Sequence, residues 1–147
     1  MIFGKGAPLL DGLARLAALP MVPMFGDGRT PVQPIFVDDL ATCLIEMLED
    51  RSLNGRTLEM GGPEVLSIED LLFQIRRSLG KGGAHVIHLP ARAISVGLGW
   101  AETFLRPLLP FTAGQLASFT NPGTISPDPW VKERQSRMKN VGQMLQS

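Results

Sequence analysis

The chain contains no tyrosine, a single cysteine and few aromatic residues, 6% of 147 positions. Without a tyrosine, no catalytic pair built on one can be present. The lone Cys43 excludes an internal disulfide and suits a reducing compartment, so a cytoplasmic location is expected. On an apolar helix it reads as a small core residue. Charge of either sign is not in excess: fourteen Lys and Arg stand against fourteen Asp and Glu. That balance gives no sign of a nucleic-acid surface or of an acidic partner. The N-terminus lacks a basic region followed by an apolar run, so no signal peptide is expected. The longest uncharged span, 107–127, is interrupted by Pro107, Pro110, Pro122 and Pro127. It does not read as a membrane helix, and no transmembrane segment is expected.

What is present is enough for one domain with a real core, since 44% of the residues are apolar. The stretch Gln33-Pro34-Ile35-Phe36-Val37-Asp38-Asp39-Leu40-Ala41 organises the rest. It reads as a short strand, with Ile35 and Val37 on one face and Phe36 on the other, running into a helix. Asp38 is placed to cap that helix, and Asp39 adds a negative charge at the positive end of its dipole. Leu40, Leu44, Met47 and Leu48 follow at helical spacing as its expected buried side.

Before this unit, Ile2-Phe3 reads as the end of a strand that looks cut at its start, and Gly4-Lys5-Gly6 as a turn. Pro8 opens a helix carrying Leu9, Leu10, Leu13, Leu16 and Leu19, and Pro20 stops it. Met21 to Phe25 is a short strand. The turn Gly26-Asp27-Gly28 should return it, hairpin-like, beside the organising strand. Pro23, Pro31 and Pro34 put part of that pair on an edge.

After it, Arg56 to Met60 reads as a further strand, which would complete a parallel β-α-β unit. Ser67-Ile68-Glu69-Asp70 is a capping box with Asp replacing the usual Glu. The helix it opens should bury Ile68, Leu71, Leu72, Ile75 and Leu79 and show Glu69, Gln74, Arg76 and Arg77 to water. Gly80 ends it. His85 to Leu89 is a strand. Beyond Pro90, a helix with Ile94, Leu98, Trp100, Ala101, Phe104 and Leu105 on one stripe is expected, then a short helix from Thr112 through Phe119. Residues 1–120 thus form the folded domain. Residues 121–147 are loop plus a basic tail, either a loose helix or disordered.

Three motifs in order resemble the C-terminal half of extended short-chain dehydrogenase/reductase proteins, the NAD-dependent epimerase/dehydratase family. Ile2-Phe3-Gly4-Lys5-Gly6 is similar to the turn after their sixth strand. Phe25-Gly26-Asp27-Gly28 with Ile35-Phe36-Val37-Asp38-Asp39-Leu40-Ala41 resembles their Gly-Asp-Gly turn and Val-x-Asp-Leu-Ala signature. Thr57 to Ser67, with Gly61-Gly62-Pro63, resembles their late strand and Gly-Gly loop. The wording is closest to the atypical branch that includes the Rossmann-type accessory subunit of respiratory complex I.

The resemblance implies an α/β fold, the substrate-side portion of an extended Rossmann-type architecture with a partial parallel sheet, a short strand pair and several helices. It implies a nucleoside-diphosphate-sugar epimerase/dehydratase-like oxidoreductase whose NAD or NADP is held by an N-terminal half. That half carries the glycine fingerprint and the Tyr-x-x-x-Lys pair, and neither is here. No cofactor-binding, catalytic or metal-ligating residue is therefore expected in this chain alone. Many sugar-nucleotide epimerases have an arginine where Val32 stands, so the usual diphosphate grip is missing too. The substrate-lining positions it implies are Gly26, Asp27, Arg29, Gln33, Gly61, Gly62 and Arg92.

Simpler readings compete for other residues. Gly4-Lys5-Gly6 lacks the third glycine of a dinucleotide loop, because Leu9 stands there. Gly80-Lys81-Gly82-Gly83 follows a helix instead of opening one. His85 and His88 point to opposite faces of a strand and cannot share a metal. Three function classes remain: the substrate half of a nicotinamide enzyme, a non-catalytic assembly or regulatory protein, and a small domain that self-associates. In each, the partner is a missing Rossmann half or a second copy of the chain.

Overall fold

The computed structural model describes residues 1–89 and 122–146. The helices expected after Pro90 and after Thr112, and with them Arg92, lie outside the described residues. The architecture is mixed α/β, with five described helices and three short strand pairs, two parallel and one antiparallel. In order, the elements are β1 (Ile2–Phe3), α1 (Pro8–Ala17), β2 (Met21–Phe25), β3 (Pro31–Val32), β4 (Ile35–Phe36) and α2 (Val37–Glu49). A 3-10 turn (Arg51–Leu53) follows, then β5 (Leu66–Ser67), α3 (Ile68–Ser78), β6 (His85–Leu89), α4 (Pro129–Gln135) and α5 (Val141–Met144).

The core lies between α1 and α3. Leu13, Leu16 and Ala17 of α1 meet Ile68, Leu71, Leu72 and Ile75 of α3, with Phe3, Val22, Met24, Val32 and Phe36 closing the sheet side. Burying each such aliphatic side chain stabilises by about 1.5–3 kcal/mol before entropy is counted. Pro8 begins α1 at a position where its missing N–H costs nothing. Ser67 begins α3 as expected: its Oγ accepts the Asp70 N–H at 3.0 Å. The Asp70 carboxylate accepts the Ser67 hydroxyl at 2.6 Å instead of the backbone N–H, so only half of the capping box forms. Gly80 ends the helix with φ +68, a conformation that L side chains adopt at a cost.

Strand pairing departs from the expected hairpin. β2 pairs with β6 in parallel, Met21 opposite His85 through Phe25 opposite Leu89. β4 pairs in parallel with β1, and β3 pairs antiparallel with β5. Gly26 and Gly28 both take positive φ, yet the turn does not fold β2 back on its neighbour. Its carbonyls instead serve α3: Gly28 O accepts the Glu69 N–H and Thr30 O the Ile68 N–H, at 3.1 and 3.0 Å. Those amides are among the ones that a helix leaves unpaired at its start. Residues 56–60 are not a strand, so no β-α-β unit forms around α2 among the described residues. A strand needs a ladder partner, and none of the described strands pairs with this stretch.

Arg76 also departs from expectation, being 8% exposed and not a water-facing charge. Its guanidinium donates to Ala17 O at 2.5 Å and Leu19 O at 2.7 Å, at the C-terminal end of α1. On its other side it donates to Gly82 O at 2.5 Å and Gly83 O at 3.3 Å. One planar fork thereby satisfies the orphan carbonyls of α1 and pins the segment that leads into β6. A cation at a helix C-terminus is also favoured by the dipole. Replacing Arg76 by Leu should lower unfolding stability by about 2–3 kcal/mol, because buried carbonyls lose their donor. Arg76→Lys should recover only part of that, lacking the fork. Urea denaturation measures both, and an R76L midpoint equal to wild type would contradict the assignment.

Candidate functional site

Of the expected substrate-lining positions, the structure brings Gln33, Gly61 and Gly62 together. Gln33 leaves β3 with its side chain buried and its amide used at both ends. Nε2 donates to Gly62 O at 2.8 Å and Oε1 accepts the Ile125 N–H at 3.1 Å. A second glutamine, Gln135 of α4, donates to Gly61 O at 3.1 Å and Gly62 O at 3.0 Å. The glycines are required by space. A Cβ on Gly62 would overlap the Pro34 carbonyl group, lying 2.7 Å from its carbon, and one on Gly61 would lie 2.7 Å from the Gln33 amide carbon. Both glycines are buried, so the arrangement is a packed backbone junction held by two amides.

Gly26, Asp27 and Arg29 sit apart from this junction, on the turn that feeds the start of α3. The Asp27 side chain accepts the Arg29 N–H at 3.0 Å, stiffening the turn locally. Asp27 and Arg29 are exposed. The short β3 connects the two groups.

The C-terminal segment completes the region. Sequence reading left it between a loose helix and disorder; the structure has two capped helices with Val131, Val141 and Met144 buried. Asp128 accepts the Trp130 N–H at 3.0 Å, with Pro129 in the first turn. Asn140 and Gln143 form a reciprocal capping box. Both caps are legible signals that composition had masked: Asp before Pro, and Asn three residues before Gln.

This segment grips the polar side of α2. The Asp39 carboxylate accepts the Lys139 N–H at 2.8 Å, and Arg134 is ion-paired with Glu46 while its guanidinium stacks 3.5 Å from the Trp130 ring centroid. Trp130 Nε1–H donates to Asp50 at 3.2 Å. Arg56 pairs with Asp128 at 2.6 Å, and the Glu64 carboxylate accepts the Val141 N–H at 3.1 Å. Asp38 does not cap α2 as expected. The helix starts two residues earlier, at Val37, with Phe36 at the capping position and no side-chain cap. The helix start therefore lacks the acceptor that sequence reading supplied.

Two titrating groups lie along this contact. Burial, then the Glu46 carboxylate, push the Cys43 thiol up from its ordinary value, which leaves it protonated and unreactive at neutral pH. Hydrogen bonds from Ser52, and a smaller one from Trp130, hold the Asp50 carboxyl below its ordinary value. Among the described residues no group of three or more His, Cys, Asp or Glu is placed to hold a metal, and His85 and His88 are both exposed in β6. The start of α1 does not fit a dinucleotide phosphate. Pro8 removes one N–H there and Asp11 places a negative charge in the first turn.

No family model matches the sequence. A stretch of 51 residues is 39% identical to the mitochondrial NADH dehydrogenase [ubiquinone] 1 alpha subcomplex subunit 9 of Arabidopsis thaliana, covering 34% of this chain and 13% of that protein. Part of the chain is thus similar to a complex I subunit, in line with the branch that the motifs resemble. The chain matches only a small fraction of that relative's length.

Three outcomes test the junction. Gly62→Ala should cost more than about 3 kcal/mol, because a backbone carbonyl must move, whereas Gly26→Ala, in open space with φ +74, should cost about 1–2 kcal/mol for backbone strain alone. Gln33→Leu should cost about 1–2 kcal/mol, chiefly by leaving the Ile125 N–H unpaired, since Gly62 O keeps its bond from Gln135. Thermal and urea unfolding decide; a neutral G62A would refute the packing. For Asp50, the depressed carboxyl contributes above its unfolded value and the contribution is lost as pH falls through the lower folded value. The Trp130 indole N–H resonance should therefore hold until the pH falls below about 4, the ordinary carboxyl range. A shift already at neutral pH would contradict the contact.

Proposed function

We propose that this chain is a partner-dependent, non-catalytic module of the epimerase-like kind, serving assembly or regulation. The observation that carries the reading is the Gln33–Gly61–Gly62 junction. Residues expected to face a sugar nucleotide instead hydrogen-bond each other and the C-terminal segment, with both ends of the Gln33 amide engaged. The partial likeness to a subunit of a larger assembly supports it. So does α2, whose apolar side is left open.

A second reading rests on the exposed Asp27 and Arg29 turn. In it, Gly26, Asp27 and Arg29 form one wall of a substrate pocket whose NAD or NADP is bound by a separate Rossmann half. Both readings leave this chain without a dinucleotide grip of its own and dependent on a partner, either that half or a second copy. Both also suit a reducing compartment such as the cytoplasm.

Titrating the chain with NADH and with NADPH, followed by the fluorescence of the nicotinamide, separates these from a self-sufficient enzyme. No saturation is expected into the millimolar range, about −4 kcal/mol of binding or weaker. Micromolar affinity would overturn both readings.

A further inference from the structure

The C-terminal segment is fixed at both ends and held more lightly between them. At its start, Gly123 forms a parallel bridge with Val32, donating to Pro31 O at 2.9 Å and accepting the Gln33 N–H at 3.2 Å. The Ile125 N–H adds its bond to Gln33 Oε1. At its end, Val141 and Met144 of α5 join the core that α1 and α3 form. Lys139 stands just before that anchor. Its N–H lies on the Asp39 carboxylate at 2.8 Å, and its ammonium is 4.2 Å from the centre of the Phe36 ring.

Between these ends lies α4, and its hold is of another kind. Val131 is its buried residue, and it lies outside the core that α5 joins. The other contacts are polar. Trp130 donates to Asp50, Arg134 pairs with Glu46, Gln135 donates to the Gly61 and Gly62 carbonyls, and Arg56 pairs with Asp128 at the cap. Both ion pairs are partly exposed, so each contributes little and is screened by salt. Asp39, Cys43, Glu46 and Asp50 recur every three to four residues and share the side of α2 that α4 covers. Cys43 is 4% exposed there, close enough to Arg134 for that charge to act on its thiol.

We propose that α4 is a strap: it lifts from α2 between its two fixed ends while the core stays folded, and so opens and closes the polar side of α2. Lifting gives up the burial of Val131, two partly exposed ion pairs and the bonds of Trp130 and Gln135. Global unfolding gives up the packing of α1 on α3 as well. The open form is therefore the cheaper of the two, as local opening is where few apolar contacts hold an element. In it, Glu46, Asp50 and Gly61 O exchange their α4 donors for water. Cys43, the one cysteine of the chain, becomes reachable and reports the motion.

Reaction of the full chain with neutral dithiodipyridine at neutral pH tests this. The Cys43 thiolate attacks one sulfur of the reagent, forming a mixed disulfide and releasing thiopyridone, whose absorbance gives the rate. The wild-type rate should be nearly independent of urea well below the unfolding midpoint. Raising sodium chloride from about 0.05 M to about 0.5 M should increase it. Arg134→Gln removes an ion pair and the stacking on Trp130, and should speed labelling about three- to thirtyfold. Loss of that cation by itself would slow the thiol, because a neighbouring positive charge favours the thiolate. A faster reaction therefore reports opening. Arg56→Gln should give about two- to fivefold. Ile75→Val, in the core, should lower the urea midpoint and leave labelling without urea unchanged. Labelling that follows global unfolding at every urea concentration, or that I75V speeds as R134Q does, would overturn the proposal. So would an R134Q rate equal to wild type.

Discussion

Gly62 lies where a side chain would have to occupy the Pro34 carbonyl. Much of the local order follows from that close approach. It brings the loop before β4 against the loop after the 3-10 turn. Gln33 and Gln135 then close over the joined backbone and tie in Ile125 and α4. A buried amide with both ends satisfied specifies one arrangement, because every alternative leaves a polar group unpaired. Arg76 plays the matching part at the end of α1, where four carbonyls converge on one guanidinium.

Sequence reading found the parts whose signals are local. The α/β class, the Pro8 and Ser67 helix starts, the Gly80 stop and the buried Ile68, Leu71, Leu72 and Ile75 of α3 are set by neighbours within one or two turns, whereas Leu79, expected with them, is exposed. It missed what depends on distant partners. Arg76 sits at an outward position by periodicity, and only the end of α1, far away in sequence, turns it into a buried clamp. The strand expected over residues 56–60 had the right residue types and no ladder to join. α2 has the right apolar spacing, but its charged side finds bonding partners in the C-terminal segment, so Leu44 and Leu48 are exposed and Leu40 and Met47 only half-buried. The candidate site divides the same way. Gln33, Gly61 and Gly62 are three of the seven positions that the family resemblance implies, and their hydrogen-bond partners Ile125 and Gln135 lie in a stretch whose loop-like composition conceals its caps.

The inward charges and outward aliphatics of α2 link fold to function. A helix normally gains its stability by burying its apolar stripe. Here the ion pair to Arg134, the Lys139 amide and the Trp130 indole hold it from the polar side. The open stripe contributes to stability only when something covers it. The junction is filled with its own backbone, while the apolar side of α2 stays open.

Hydrogen exchange by mass spectrometry at low and high protein concentration tests this account most directly. It predicts steady protection, at every concentration, of the Gln33 and Ile125 amides, which donate to Gly123 O and Gln33 Oε1 at the junction. Rapid exchange at Gln33 and Ile125 would contradict it.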